Sequence, residues 1–178
     1  MKKNFLSASI AVIVGSALFF ALGKYVNIQG PIINIYISVQ FGVLAFIATL
    51  FGPVVGFLIG IIGHFFIDFS SGSVHWSWVI ASGLTGFIIG LSEKKVNLTT
   101  EYFSIIKMGI LNLYQICAFI LTCGVVAPVL DIILYKEPAG KVFVQGIVAG
   151  MYDIIATAII GTLLCLIYSK IKPAPKGK

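Results

Sequence analysis

Apolar residues in this chain come in six long runs separated by short polar stretches. The runs cover about 5–23, 35–51, 53–68, 76–91, 103–126 and 142–168. A helix that crosses a bilayer needs roughly 20 apolar residues, with a range of about 17–25. The pattern therefore predicts an all-α membrane protein, a single six-helix transmembrane bundle spanning 1–178, with 170–178 as a disordered cytoplasmic tail. Runs two to four sit near or below the short limit, and Phe51-Gly52-Pro53 joins two of them with almost no loop. Tilted or partly broken helices are expected there.

Composition agrees with the runs. Of 178 residues 59% are apolar and 10% charged, and the mean hydropathy is +1.08. A soluble domain carries about 25% charged residues, so a water-soluble shell is excluded. The formal charge is +6, carried by Lys alone, with no Arg. The lysines gather at the ends of the apolar runs, which is a topology signal rather than a phosphate-binding patch, so no nucleic-acid partner is expected. Lys2, Lys3, Lys94, Lys95, Lys107, Lys170, Lys172, Lys176 and Lys178 fall on one side of the predicted bundle, and Lys24, Lys136 and Lys141 on the other. The first side is expected to be cytoplasmic and to hold both termini of a multi-pass membrane protein.

The first run has a basic start, but it is long for a signal core and no clean small-x-small site follows, so it is expected to stay as a span. Three segments then face outward: 24–34, 69–77 and 128–141, the last reading "PVLDIILYKEPAGK". Cys117, Cys123 and Cys165 lie in apolar stretches without metal-type spacing and read as small buried hydrophobes.

Small residues recur four apart, which places them on nearly one helix face. Ser7, Ala11 and Gly15 form such a row in the first run, Gly52, Gly56 and Gly60 in the third, and Ser82, Gly86 and Gly90 in the fourth. In the sixth run Gly146 is followed by Gly150. Small residues let membrane helices approach closely. Each row serves either packing within the bundle or docking of another membrane subunit, and the first is the best docking candidate because it begins at the cytoplasmic end.

Polar side chains inside the runs carry the functional argument, since a mid-helix Asp costs about 2.5–3.5 kcal/mol on insertion scales. The third run continues its glycine row with His64 and Asp68, one turn apart. The sixth carries Gln145, Ala149, Asp153, Thr157 and Gly161 on one face, with Asp153 the deepest carboxylate. Asn34 and Gln40 flank the start of the second run, Asn112 and Gln115 lie in the fifth, and His75, Trp76 and Trp78 open the fourth. A lone Asn or Gln also serves as a tie between helices, His64 as a packing residue, and a Trp at a run's end as an interfacial anchor. Together these groups describe a pocket opening outward, with aromatic walls and a few orienting polar groups.

Other chemistry is missing from the sequence. There is no GxxxxGK[ST] loop for ATP and no HExxH, GxSxG or CxxC. His64 and Asp68 alone are too few ligands for a closed metal site. No catalytic residue, metal or cofactor is expected on this chain, and the protein does not read as an enzyme. A stand-alone carrier driven by protons, relayed through Asp153 and His64, is the alternative to a subunit that only binds its substrate.

The segments "FGPVVGFLIGIIGHFFID", "WSWVIASGLTGFIIGL" and "VFVQGIVAGMYDIIATAIIGTLL" closely resemble a family of small bacterial membrane proteins grouped with the substrate-binding S components of energy-coupling factor (ECF) transporters, under a riboflavin label. The resemblance runs from about Ser7 to Tyr168. It implies a six-helix subunit that captures a vitamin or vitamin precursor from outside, under a loop between the first two spans. It also implies as partners a transmembrane coupling subunit, docked on the Ser7, Ala11 and Gly15 row, and two ABC ATPases that use the ATP. The ligand itself is not implied, because S components share fold far more than ligand contacts.

Overall fold

Gly52 adopts φ +97, a left-handed backbone that suits glycine, and Pro53 occupies the first turn of the helix that follows, where its missing N–H costs nothing. This pair turns the chain between α2 (Gln40–Phe51) and α3 (Pro53–Phe69) without a loop. The computed structural model describes residues 5–26, 28–29 and 36–172. Before that turn come α1 (Phe5–Tyr25) and a two-residue antiparallel ribbon, β1 (Ile28–Gln29) with β2 (Tyr36–Ile37), in which Ile28 faces Ile37 and Gln29 faces Tyr36. After it come α4 (Trp76–Gly90), a single turn α5 (Glu93–Val96), α6 (Ile105–Leu121), a π-helical turn (Thr122–Val126), α7 (Ala127–Tyr135) and α8 (Ala139–Ile171). The protein is a helical membrane bundle.

Several boundaries differ from those expected. The second helix starts at Gln40 rather than at residue 35, because Tyr36 and Ile37 pair with Ile28 and Gln29 instead of joining the helix. The fifth run does not end at 126. Pro128 falls in the first turn of α7, a position Pro tolerates, and the helical path continues to Tyr135. The segment 128–141 is thus mostly helix, closed by Lys136 in a left-handed conformation (φ 59), and α8 begins at Ala139 rather than 142. At its other end α8 reaches Ile171, so residues 170 and 171 belong to the helix and not to a tail.

Among the described residues, three helical stretches are long and apolar enough to cross a membrane: Phe5–Tyr25, Ile105–Tyr135 and Ala139–Ile171. The others are shorter, with 12, 17 and 15 residues in α2, α3 and α4. α8 shows how the chain partitions. Met151, Ile155, Ile159 and Leu163 are exposed, a stripe suited to lipid, while Gly146, Gly150, Asp153, Thr157 and Gly161 are buried on the opposite face.

The rows of small residues in α3 and α4 pack on each other. A Cβ on Gly56 would run into the Gly86 carbonyl, and one on Gly60 into the Ser82 carbonyl. Backbone meets backbone along this crossing, the closest helix contact in lipid that small residues permit. On α8, a Cβ at Gly146 would strike the Cys123 carbonyl, so α8 lies against the π-helical turn.

The row on α1 faces inward as well. Ala11 and Gly15 are buried, and a Cβ on Gly15 would meet Ile59 Cδ1 at 2.5 Å and Ile47 Cδ1 at 3.0 Å. In this arrangement the row holds α1 against α2 and α3, and it does not present Ala11 and Gly15 to a docking partner. Ser7, at the outer end of the row, is half-buried.

The bundle has two distinct ends. One carries the β-ribbon, Lys24, Lys136 and Lys141. The other carries the Gly52 turn, Lys94, Lys95, Lys107, Lys170 and Lys172. At this second end Lys172 Nζ donates to the Leu98 carbonyl at 2.6 Å and the Glu101 carbonyl at 2.5 Å, and the Phe103 N–H donates to Ser169 Oγ at 3.0 Å. These bonds fasten the loop before α6 to the end of α8. Burial and the nearby Lys107 ammonium hold the Lys172 pKa below its ordinary value, against the opposing pull of Glu101.

Candidate functional site

Polar side chains in an apolar bundle need partners, and at the ribbon end they find them around a cavity of about 490 Å³. Its walls come from β2, α2, α3, α4, the π-helical turn and α8. His64 and Asp68 lie one turn apart on α3 and face each other, with Nε2 and Oδ1 3.7 Å apart. On its other side His64 Nδ1 shares a 2.6 Å hydrogen bond with Ser82 Oγ of α4. Asp68 Oδ2 accepts the backbone N–H of His75 at 2.9 Å, which fixes the chain where it enters α4.

Asp153 stands across the cavity on α8 and is 4% exposed. Its Oδ1 accepts the backbone N–H of Ser38 at 3.1 Å, joining the exit of the ribbon to the wall of the site. Gln145 lies two turns nearer the ribbon end on the same face.

The cavity also has aromatic surfaces, Tyr36, Phe41 and Trp78. Phe41 is wedged edge-on between Phe19 and Phe119, with ring centroids 5.2 Å apart in both pairs, and this trio closes the floor. Trp78 is held by its indole: Nε1 donates to Asp131 Oδ2 at 3.1 Å, while Ser77 Oγ donates to Asp131 Oδ1.

A second chamber of about 270 Å³ adjoins the first and shares His75, Trp78 and Gln145 with it. Its further walls include Asp131, Tyr135, Glu137 and Lys141. Tyr135 Oη accepts the Trp76 backbone N–H at 2.8 Å, and Lys141 Nζ pairs with Glu137 at 2.8 Å.

Of the residues singled out from the sequence, the structure gathers His64, Asp68, His75, Trp78, Gln145 and Asp153 around one cavity. Four others lie elsewhere. Gln40 is buried on the first turn of α2 beside Gly23 of α1. Asn112 is a helix tie, donating to the Met108 carbonyl at 3.0 Å and to Thr162 Oγ1 at 3.3 Å. Gln115 is fully buried one turn beyond Phe119, behind the aromatic floor, and neither end of its amide has a partner among the described residues. Trp76 is half exposed and packs on Phe65 with centroids 5.8 Å apart, as an interfacial anchor does. Asn34 lies outside the described residues.

The structure adds residues that the sequence reading passed over. Asp131 and Tyr135 lie in a stretch read as loop, so their helical face went unseen. Ser38 and Tyr36 reach the site because the ribbon folds back over α8. Cys123 lines the cavity from the π-helical turn, an element often found at functional sites. No group of three or more potential metal ligands occurs among the described residues.

With this geometry in place, the relatives are informative. A family model described as "ECF-type riboflavin transporter, S component" matches residues 6–170. A UPF0397 protein of Lactococcus lactis subsp. cremoris is 42% identical over 170 residues, covering 95% of this chain and 93% of its own length. A UPF0397 protein of Lactobacillus acidophilus is 44% identical over 164 residues, covering 92% and 89%. One from Streptococcus pneumoniae is 44% identical over 161 residues, covering 90% and 88%. The match runs from the first helix to the last and includes every wall of the cavity, so the chain belongs to the family of ECF transporter S components and is a substrate-binding subunit of a membrane transporter.

Proposed function

We propose that this subunit captures a vitamin or vitamin precursor outside a bacterial cell, in the cavity at the ribbon end, and delivers it inward together with a transmembrane coupling subunit and two ABC ATPases. The observation that carries this reading is the cavity itself: an aromatic floor, polar groups from the three helices α3, α4 and α8, and a ribbon fastened over one wall by Ser38 and Asp153. Such a site suits small, partly aromatic nutrients, which are held by shape and a few convergent polar groups. The distribution of lysines supports an orientation with the ribbon end outside and both termini in the cytoplasm. His64, Asp68, His75, Trp78, Gln145 and Asp153 are the proposed ligand contacts. Energy comes from the partners, since this chain has no ATP-binding loop.

The test combines binding and uptake. Mass spectrometry of small molecules retained by the purified chain identifies the ligand, and reconstituted vesicles then measure its uptake. The proposal expects uptake only when the coupling subunit and ATPases are present with ATP. Uptake by the lone chain in ATP-free vesicles, collapsed by a protonophore, would replace it with the proton-driven carrier.

A further inference from the structure

Carboxyl groups outnumber ammonium groups in the lining of the two chambers. Asp68 and Asp153 border the larger, Asp131 and Glu137 the smaller, and the one ammonium among the described lining residues is Lys141. That ammonium is already paired with Glu137 at 2.8 Å. Of the other two lysines at this end, Lys24 donates to the Ser70 carbonyl at 3.2 Å and to Ser71 Oγ at 3.3 Å, and Lys136 is exposed and lines neither chamber. Residues 27–35 of the ribbon segment contain no Lys or Arg, and the chain has no Arg anywhere. A phosphate or carboxylate entering this site would meet four carboxyl groups and find, among the described lining residues, no guanidinium fork and no uncommitted ammonium to receive it.

The remaining chemistry points the same way. Trp78 and Phe41 border the cavity, and aromatic rings attract planar and positively charged groups. Trp78 is held in one orientation by Asp131, so that ring is pre-set rather than adaptable. Gln145 borders both chambers and has no hydrogen-bond partner among the described residues, leaving an amide for a ligand that spans the junction.

Within the transporter reading, on which this rests, we infer that the site selects a planar heteroaromatic ligand that brings hydrogen-bond donors or positive charge, such as ring N–H, amino or cationic nitrogen groups, and rejects its phosphorylated or carboxylated analogues. The carboxyl groups of Asp153 and Asp68 receive the donors, and the aromatic walls hold the ring. Discrimination arises as much from the absence of a counter-charge for anions as from contacts to the right ligand.

The experiment uses the full chain in lipid nanodiscs. The probes are two matched pairs, riboflavin with its monophosphate and thiamine with its monophosphate, and a low-mass bacterial extract separated by anion exchange into anionic and unretained fractions. Melting temperature reports binding. The unretained fraction is expected to stabilise the chain and the anionic fraction to leave it unchanged. Any parent probe that binds should do so about tenfold or more tightly than its phosphate, and Asp153→Asn and Asp68→Asn should each shrink that ratio. Stabilisation by the anionic fraction alone, a phosphate bound as tightly as its parent, or no stabilisation by either fraction would overturn the inference. Co-purification of the chain with a coupling subunit and ATPases tests the transporter reading separately. A chain that co-purifies and transports an anionic ligand would sink only the selectivity argued here.

Discussion

Asp153, deep on α8, accepts the backbone N–H of Ser38 at 3.1 Å, so a proposed ligand contact also holds the ribbon beside it. Two roles on one side chain can be separated by substitution. Asp153→Ala removes both, and ligand affinity should fall about 10- to 100-fold, the range for a hydrogen bond to a charged group. Asp153→Asn keeps an acceptor for Ser38 and should lose affinity while leaving the ribbon in place. Calorimetry reads the affinity, and limited proteolysis of the segment between α1 and α2 reads the ribbon. Equal cleavage of Asp153→Ala and the parent chain would refute the tie.

Asp131 organises the entry to α4 from a different helix. It receives Ser77 Oγ and Trp78 Nε1, and both Ser77 and Asp131 are buried. Asp131→Ala strands two donors, each costing about 1–3 kcal/mol when left unmet in the interior. The expected result is a lower melting temperature, a change in Trp fluorescence as Trp78 loses its fixed orientation, and weaker ligand binding. Asp131→Asn should recover part of the stability, because the amide oxygen still accepts one donor.

The fold was more legible in the sequence than the site, and particular residues show why. Apolar runs and lysine clusters are properties of whole segments, so the helical membrane bundle and the lysine groups at its two ends could be read directly. His64, Asp68 and Asp153 were also legible, since an ionisable group in an apolar run needs a reason to be there. Asn112 and Gln115 carry the same kind of signal, yet one ties α6 to α8 and the other sits behind Phe119. Whether α6 reaches the cavity depends on tertiary packing, and here only the π-helical turn that follows it does, through Cys123. Asp131 was hidden by Pro128, which reads as a break but here only opens a helical turn. Ser38 and Tyr36 depend on a two-residue strand pair, too short for any periodicity.

The crossing of α3 and α4 gives a stability prediction with an internal control. A Cβ at Gly60 would collide with the Ser82 carbonyl, so Gly60→Ala must push the two backbones apart. Overpacking of this kind costs about 1–3 kcal/mol. The same shift would displace Ser82 from His64, so ligand affinity should fall with stability. Gly109 on α6 has open space where its Cβ would go, and Gly109→Ala should be neutral or slightly stabilising by about 0.4–1 kcal/mol. Melting of the two variants in the same detergent decides the matter; equal losses would show that the close approach at Gly60 is not limiting.

The row on α1 makes the sharpest division between folding and assembly. Sequence spacing alone allowed Ser7, Ala11 and Gly15 to be a docking seam for a partner, but Gly15 packs on Ile59 and Ile47 within the bundle. Gly15→Leu should therefore destabilise the isolated chain by about 1–3 kcal/mol, since Ile59 and Ile47 must move to admit it. Ile13 and Ala17 lie on the exposed face of the same helix. Ala17→Leu should leave the isolated chain's melting temperature unchanged, and if α1 meets the coupling subunit it is this face that must do so, with co-purification falling in the Ala17 variant. The opposite pattern is equally readable. If Gly15→Leu melts like the parent chain but no longer co-purifies with its partner, α1 must rotate on assembly and expose the row that is buried here. The bundle would then have a second packing in which Ile59 and Ile47 are uncovered, and assembly with the partner, rather than ligand capture, would drive the rearrangement.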